Sequence, residues 1–179
     1  MRRDECVAMI RDGVEGSAWA DLGSGDGAFT LALAEVLGPG AHIVSVDRDR
    51  RGLEAQKRAF AVSYSAVTLQ TMAADFTGEL ALPPLDGALM ANSLHFQRDP
   101  CAVLRHAAGW LTPGGRILVV EYETHHAGPW VPHPVPFAVL QEVARCAGLP
   151  APRMLVTRPS RYHGSMYSAV IAGAGAMPR

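Results

Sequence analysis

Apolar residues along this chain fall into short runs that alternate with stretches of helical spacing. The runs at 17–22, 41–46, 67–72, 86–91 and 116–121 read as strands, and 154–157 with 166–172 as a closing antiparallel pair. Between them lie the helical stretches. Val7, Ile10 and Val14 form one stripe of a first helix that Asp4 would cap. Phe29, Leu33, Val36 and Leu37 form a second, stopped by Gly38-Pro39-Gly40. A third runs over 50–60 with Leu53, Lys57 and Phe60 on one face, and a fourth opens at Asp99-Pro100 and reaches about Trp110. A fifth carries Phe137, Leu140, Val143, Ala144 and Ala147 and stops at Gly148, while 112–115 reads as a turn before the fifth strand. Strand–helix alternation of this kind predicts an α/β fold with a parallel sheet covered by helices.

One stretch breaks the rhythm. Residues 124–136 hold His125, His126, Trp130 and His133 among Pro129, Pro132, Pro134 and Pro136. Proline at that density excludes helix and removes ladder hydrogen bonds, so this is a loop, and a loop this long inside a compact domain is often functional.

Composition narrows the class. At 179 residues, with domains running roughly 100–200 residues, residues 1–179 are expected to form a single domain. A hydrophobic share of 49% with 18% charged residues excludes a disordered chain. The net charge of −1 provides no field to hold a phosphate backbone, so no nucleic-acid partner is expected. No apolar run approaches the ~18 residues of a membrane span, and the mixed charges of the first residues do not read as a signal peptide. Cys6, Cys101 and Cys146 are odd in number and far apart, which predicts unpaired thiols in a reducing, cytoplasmic setting.

Candidate chemistry concentrates in Asp21-Leu22-Gly23-Ser24-Gly25-Asp26-Gly27, between the first strand and the second helix. Glycines there let the backbone turn sharply and let a ligand approach, and the helix start behind them offers unpaired N–H groups. Asp47 ends the second strand 22 residues beyond Gly25, where a carboxylate can accept from both hydroxyls of a ribose. The loop therefore reads as a site for a nucleoside-containing cofactor. Gly23-x-Gly25-x-x-Ala28 also satisfies the dinucleotide fingerprint, which leaves an NAD(P)-dependent oxidoreductase open. Asp21 favours a ligand that carries an ammonium group, and Gly27 favours an amino-acid tail along the loop. Both describe S-adenosylmethionine (SAM).

At these residues the sequence resembles the class I SAM-dependent methyltransferases, of the type acting on small molecules. Asp21–Thr30 is similar to that family's first motif, Ser45-Val46-Asp47 to the second and Ala73-Ala74-Asp75-Phe76 to the third. Asp86–Phe96 and Leu111–Tyr122 follow as the fourth and fifth, in order. The resemblance implies a Rossmann-like, open, doubly wound and mostly parallel seven-stranded sheet with helices on both faces and an antiparallel last strand pair. It also implies SAM as cofactor, with Gly23, Ser24 and Gly25 along the methionine tail and Asp21 on its amino group. Asp47 would hold the ribose, Arg48 would lie beside the adenine, Asp75 and Phe76 would contact the adenine, and Asn92 would sit near the sulfonium. Asp26 reads equally as a helix cap, while for Asp75 a turn carboxylate is the alternative to the favoured cofactor contact.

The acceptor is less legible. Methyl transfer to a phenol, hydroxyl or amine benefits from a base, and His95, expected at the mouth of the crevice, is the candidate. The alternative is a histidine that packs or caps a turn. His125, His126, Trp130 and His133 are candidates for the acceptor pocket, since their loop leaves the carboxyl edge of the sheet. No metal is expected, because no Asp, Glu or Cys completes a ligand spacing around these histidines. Arg158 and Arg161 could clamp a carboxylate or stand solvated. The site needs a cover that excludes water: the first helix, the 124–136 loop ordering on ligand binding, or a second subunit in a homodimer. The third function class consistent with the sequence is a SAM-binding sensor without activity.

Overall fold

The computed structural model describes residues 1–160, 162 and 164–173. Seven strands form one sheet: β1 (Ala18–Leu22), β2 (His42–Asp47), β3 (Thr68–Ala73), β4 (Leu85–Ala91), β5 (Leu111–Tyr122), β6 (Arg153–Pro159) and β7 (Ser165–Ala172). Their spatial order is β3-β2-β1-β4-β5-β7-β6. The pairs from β3 through β5 are parallel, and β7 runs antiparallel to both β5 and β6. Among the described residues five α-helices cover it: α1 (Arg3–Ile10), α2 (Ala28–Leu37), α3 (Arg50–Ser63), α4 (Pro100–Ala108) and α5 (Phe137–Cys146).

Neighbouring residues on the central strands point to opposite faces, and both faces are buried. Trp19, Ile43, Leu89 and Leu118 pack with α1, α2 and Phe60 of α3. Their neighbours Ala20, Val44, Met90 and Val119 pack with α4 and α5. That two-sided burial is why these strands read as continuous apolar runs and not as alternating ones. The order reverses at β1, whose flanks are β2 and β4, so the chain diverges above β1 and β4 and leaves a crevice at their carboxyl ends.

Several local expectations change. Arg2, not Asp4, precedes α1 as its cap residue, and its N–H donates to the Glu5 carboxylate at 2.9 Å. On α3 the buried stripe is Leu53, Gln56 and Phe60, and Lys57 lies outside it. Residues 112–115 are not a separate turn but extra length within β5, since Leu85 pairs with Leu111 and Gly87 next with Arg116. The cysteine expectation is overturned: Cys101 at the start of α4 and Cys146 at the end of α5 form a disulfide across 45 residues. Packing of α4 against α5 brings together residues whose separation in sequence gave no sign of pairing. Only Cys6 remains free, and the argument for a reducing compartment from cysteine usage falls away. Among the described residues no helix is long and apolar enough to cross a membrane.

Candidate active site

The crevice above β1 and β4 is a cleft of about 610 Å³. All nine residues expected to touch the cofactor line it: Asp21, Gly23, Ser24, Gly25, Asp47, Arg48, Asp75, Phe76 and Asn92. Each lies at the carboxyl end of a strand or in the turn that follows it, which is how one sheet edge collects residues from four separate stretches of chain. Gly23, Gly25 and Gly27 all adopt positive φ, at 80°, 56° and 85°, a path that side-chain-bearing residues rarely follow. Space in front of Gly25 is open, whereas a Cβ on Gly27 would lie 2.3 Å from Gln56 Cγ.

Asp47 ties this loop to β2. Its Oδ2 accepts the Gly25 N–H at 2.8 Å and its Oδ1 accepts the Asp49 N–H at 2.8 Å. Each oxygen keeps capacity for a further donor from the cleft. Asp75 is a turn carboxylate as well as a cleft residue: its Oδ1 accepts from the Thr77 N–H and hydroxyl, which hold its pKa below the usual carboxylate value. Its Oδ2 faces Arg48 Nη1 at 3.5 Å. Asp26 likewise both lines the cleft and accepts from the Ala28 N–H.

Two cleft side chains have buried oxygens with no protein partner among the described residues, Asp21 Oδ1 and Asn92 Oδ1. A buried polar atom left unsatisfied costs about 1–3 kcal/mol, so both ask for a donor from the cleft. Asn92 also carries a positive φ of 54°, a strained conformation that asparagine tolerates better than most residues. A cation-bearing amino-acid tail meets this demand at Asp21, and the residues present fit SAM.

His95 does not lie at the mouth. It sits in the short 3-10 turn Leu94–Phe96, is 1% exposed, and does not line the cleft. Its Nδ1 is 2.6 Å from Oε2 of Glu121, and since a carboxylate only accepts, the proton sits on Nδ1. Oε1 of Glu121 accepts the N–H groups of Leu94 and His95, both at 3.1 Å. The turn therefore drives His95 inward onto a buried carboxylate and leaves its neighbour Phe96 49% exposed at the cleft, beside Gln97.

None of the loop candidates His125, His126, Trp130 and His133 lines the cleft, and the Trp130 ring is 81% exposed. The loop touches the 94–96 turn through its backbone, where His133 N–H donates to the His95 carbonyl at 3.0 Å. Among the described residues no cluster of three His, Cys, Asp or Glu side chains could hold a metal. Arg158 clamps a carboxylate of the protein itself, Glu5, at 2.8 Å, while Arg161 lies outside the described residues.

Sequence reasoning missed Gln56 and Glu121. Both had a visible signal. Gln56 is a polar residue at the spacing of a buried stripe, three after Leu53 and four before Phe60, and Glu121 is a charge at the end of the apolar run 117–120.

Residues 20–117 match the family profile described as a methyltransferase domain, more than half of the chain. The chain belongs to the methyltransferase-domain family. Solved structures share its fold. A SAM-dependent methyltransferase from Aquifex aeolicus superposes with a TM-score of 0.69 at 15% identity, over 89% of this chain and 84% of that one. Magnesium protoporphyrin IX methyltransferase from Synechocystis PCC 6803, solved with bound SAM, gives 0.67 at 19% identity, over 96% and 78%. An O-methyltransferase from neocarzinostatin biosynthesis, in complex with S-adenosylhomocysteine and 1,4-dihydroxy-2-naphthoic acid, gives 0.63 at 23% identity; it matches over 86% of this methyltransferase chain and 48% of its own length. No curated protein matches by sequence. The methyltransferase family and the fold, both implied by the motifs, therefore stand.

Proposed function

We propose that this methyltransferase domain transfers the methyl group of SAM to a small-molecule acceptor by in-line displacement, using the cleft above β1 and β4. The observation that carries the cofactor half is the pair of buried oxygens, on Asp21 and Asn92, that have no partner among the described residues, in a cleft that contains all nine expected cofactor residues. When bound, SAM supplies a methyl carbon activated by its positive sulfur. The chain's own task is to align the acceptor and exclude water. Asp21 and the glycine loop hold the amino-acid tail, Asp47 the ribose, and Arg48, Asp75 and Phe76 the adenine.

We assign the acceptor side to Phe96 and Gln97, an exposed ring and an amide on the cleft wall, in place of the histidines of the 124–136 loop. That loop then acts as the cover, hinged on the His133–His95 backbone contact. The cleft wall carries the carboxylates of Asp21, Asp26, Asp47 and Asp75 against one basic side chain, Arg48, which faces Asp75. An acceptor with a neutral apolar face suits this lining, and a phosphate-rich one such as nucleic acid does not. His95, with its Nδ1 proton committed to Glu121, positions the 94–96 turn and hence Phe96.

Calorimetry tests the reading. SAM and S-adenosylhomocysteine bind at micromolar strength and NAD does not; binding of NAD with no binding of SAM overturns it. Release of S-adenosylhomocysteine across a panel of neutral aromatic and hydroxylated acceptors then separates an enzyme from a silent SAM-binding sensor.

A further inference from the structure

Beneath the glycine loop five polar side chains are closed off together: Asp21, Ser24, Thr30, Ser45 and Gln56. Gln56 of α3 is their hub. Its Nε2 donates to Ser24 Oγ at 2.9 Å and to the Gly25 carbonyl at 2.8 Å. Its Oε1 lies 2.6 Å from Ser45 Oγ and 3.2 Å from Thr30 Oγ1. Ser45 Oγ is 2.7 Å from Ser24 Oγ, and Thr30 Oγ1 is 2.7 Å from Asp21 Oδ2.

Protons in this network can be counted. The amide cannot be turned over, because its oxygen would then face the Gly25 carbonyl, acceptor against acceptor. An amide oxygen only accepts, so the hydroxyl protons of Ser45 and Thr30 both go to Gln56, and Ser24 donates to Ser45. The Thr30–Asp21 contact is then left without a proton unless the carboxyl group supplies it. Every contact is satisfied at once only when Asp21 is a neutral acid donating to Thr30. Once Asp21 ionises, Thr30 turns its proton to the carboxylate, and its contact with Gln56 becomes oxygen against oxygen.

The surroundings favour the neutral form. Asp21 pairs with Ser45 on β2 and Leu89 on β4, α2 presents Thr30 and α3 presents Gln56, so none of these elements offers it a cation. The charged groups nearest in the cleft are the acidic Asp47 and Asp26, and Arg48 faces Asp75. Burial, followed by those two carboxylates and opposed by the Thr30 hydroxyl, pushes the Asp21 pKa up to about 7. Its second oxygen, Oδ1, is buried and has no partner among the described residues.

We propose that Gln56, by taking the Thr30 hydroxyl proton, is the positioning residue that holds Asp21 as a neutral acid until the ammonium group of the cofactor reaches its free oxygen, so that cofactor binding expels a proton. This rests on the cofactor reading above. The balance is simple: the carboxylic acid and the ligand ammonium become a carboxylate–ammonium pair, and one proton passes to solvent. No covalent bond of the ligand changes.

The test is titration of the whole protein with S-adenosylhomocysteine at about pH 6, in two buffers of different ionisation enthalpy. An α-amino group titrates at about 7.7–8.0, so the ligand stays protonated there and adds no proton of its own. Close to one proton is released per ligand bound, and affinity rises about tenfold per pH unit in this acidic range. The isosteric Asp21→Asn releases none. Gln56→Met frees the Thr30 proton for the carboxylate, lets Asp21 ionise before the ligand arrives, and cuts the release to less than half. Thr30→Val removes the donor to the carboxylate and keeps the release near one. Ligand binding without proton release by the wild-type protein overturns the proposal and leaves the cofactor reading intact, whereas failure of the ligand to bind overturns that reading itself. A release that persists in Asp21→Asn, or that Gln56→Met does not change, also overturns it.

Discussion

The carboxylate of Asp47 serves the fold and the ligand at once, because it closes the glycine loop onto β2 through the Gly25 N–H and faces the cleft. Asp47→Ala is therefore expected to weaken SAM binding by about 1–3 kcal/mol, the cost of an unpaired buried polar group. Asp47→Asn, which keeps an oxygen for the loop, should lose less; calorimetry on both variants checks this, and unchanged affinity in the alanine variant removes Asp47 from the ribose site. At His95 the position decides the role. A side chain sealed against Glu121 behaves as a structural partner, so His95→Ala should cost about 1–3 kcal/mol of stability by leaving the buried Oε2 of Glu121 without its hydrogen bond. Denaturant unfolding measured beside turnover distinguishes the cases: full stability with lost turnover would return His95 to the role of base. Neither role is separable from sequence, where His95 is only a histidine three residues past Asn92.

At the scale of elements, α3 is pressed onto the glycine loop. A Cβ on Gly52 would lie 2.4 Å from the Gly25 carbonyl oxygen, a backbone atom that cannot swing aside. Replacing a helical glycine by alanine ordinarily gains about 0.5–1 kcal/mol. Gly52→Ala should reverse that sign and lower SAM affinity, because α3 must lift from the loop it supports; a rise in both melting temperature and affinity would contradict the close docking. The 124–136 loop is expected to protect its amides from hydrogen exchange when SAM and an acceptor are bound, with equal exchange in both states ruling it out as the cover. Helices and strands themselves were legible, since each repeats an apolar spacing over neighbouring residues. The stripe of α3 was misassigned at Lys57 because a buried glutamine looks like a surface residue until its partners Ser24, Thr30 and Ser45 are in place.

For the molecule as a whole, the two faces of the sheet are secured differently. On the α4–α5 face the Cys101–Cys146 disulfide closes a long loop that contains β5 and the proline-rich segment, and Arg105 Nη2 lies 3.2 Å from Cys101 Sγ and 3.0 Å from the Cys146 carbonyl. Loop-closure entropy makes such a link worth about 2–4 kcal/mol. Reduction, or Cys101→Ser, should lower the unfolding midpoint correspondingly, and an identical midpoint with and without reductant would remove the link from the stability of the fold. Sequence spacing alone determined the strand–turn–helix unit, the glycine loop with Asp47 behind it, and the order of elements, because these depend on residues near one another in the chain or on short repeating patterns. Tertiary structure alone decided that His95 turns inward to Glu121, that Gln56 underpins the loop, that Arg158 is spent on Glu5 and that two distant cysteines meet. Those four depend on partners between 26 and 153 residues apart, and the free energy of a buried polar group is set by what packs against it in space.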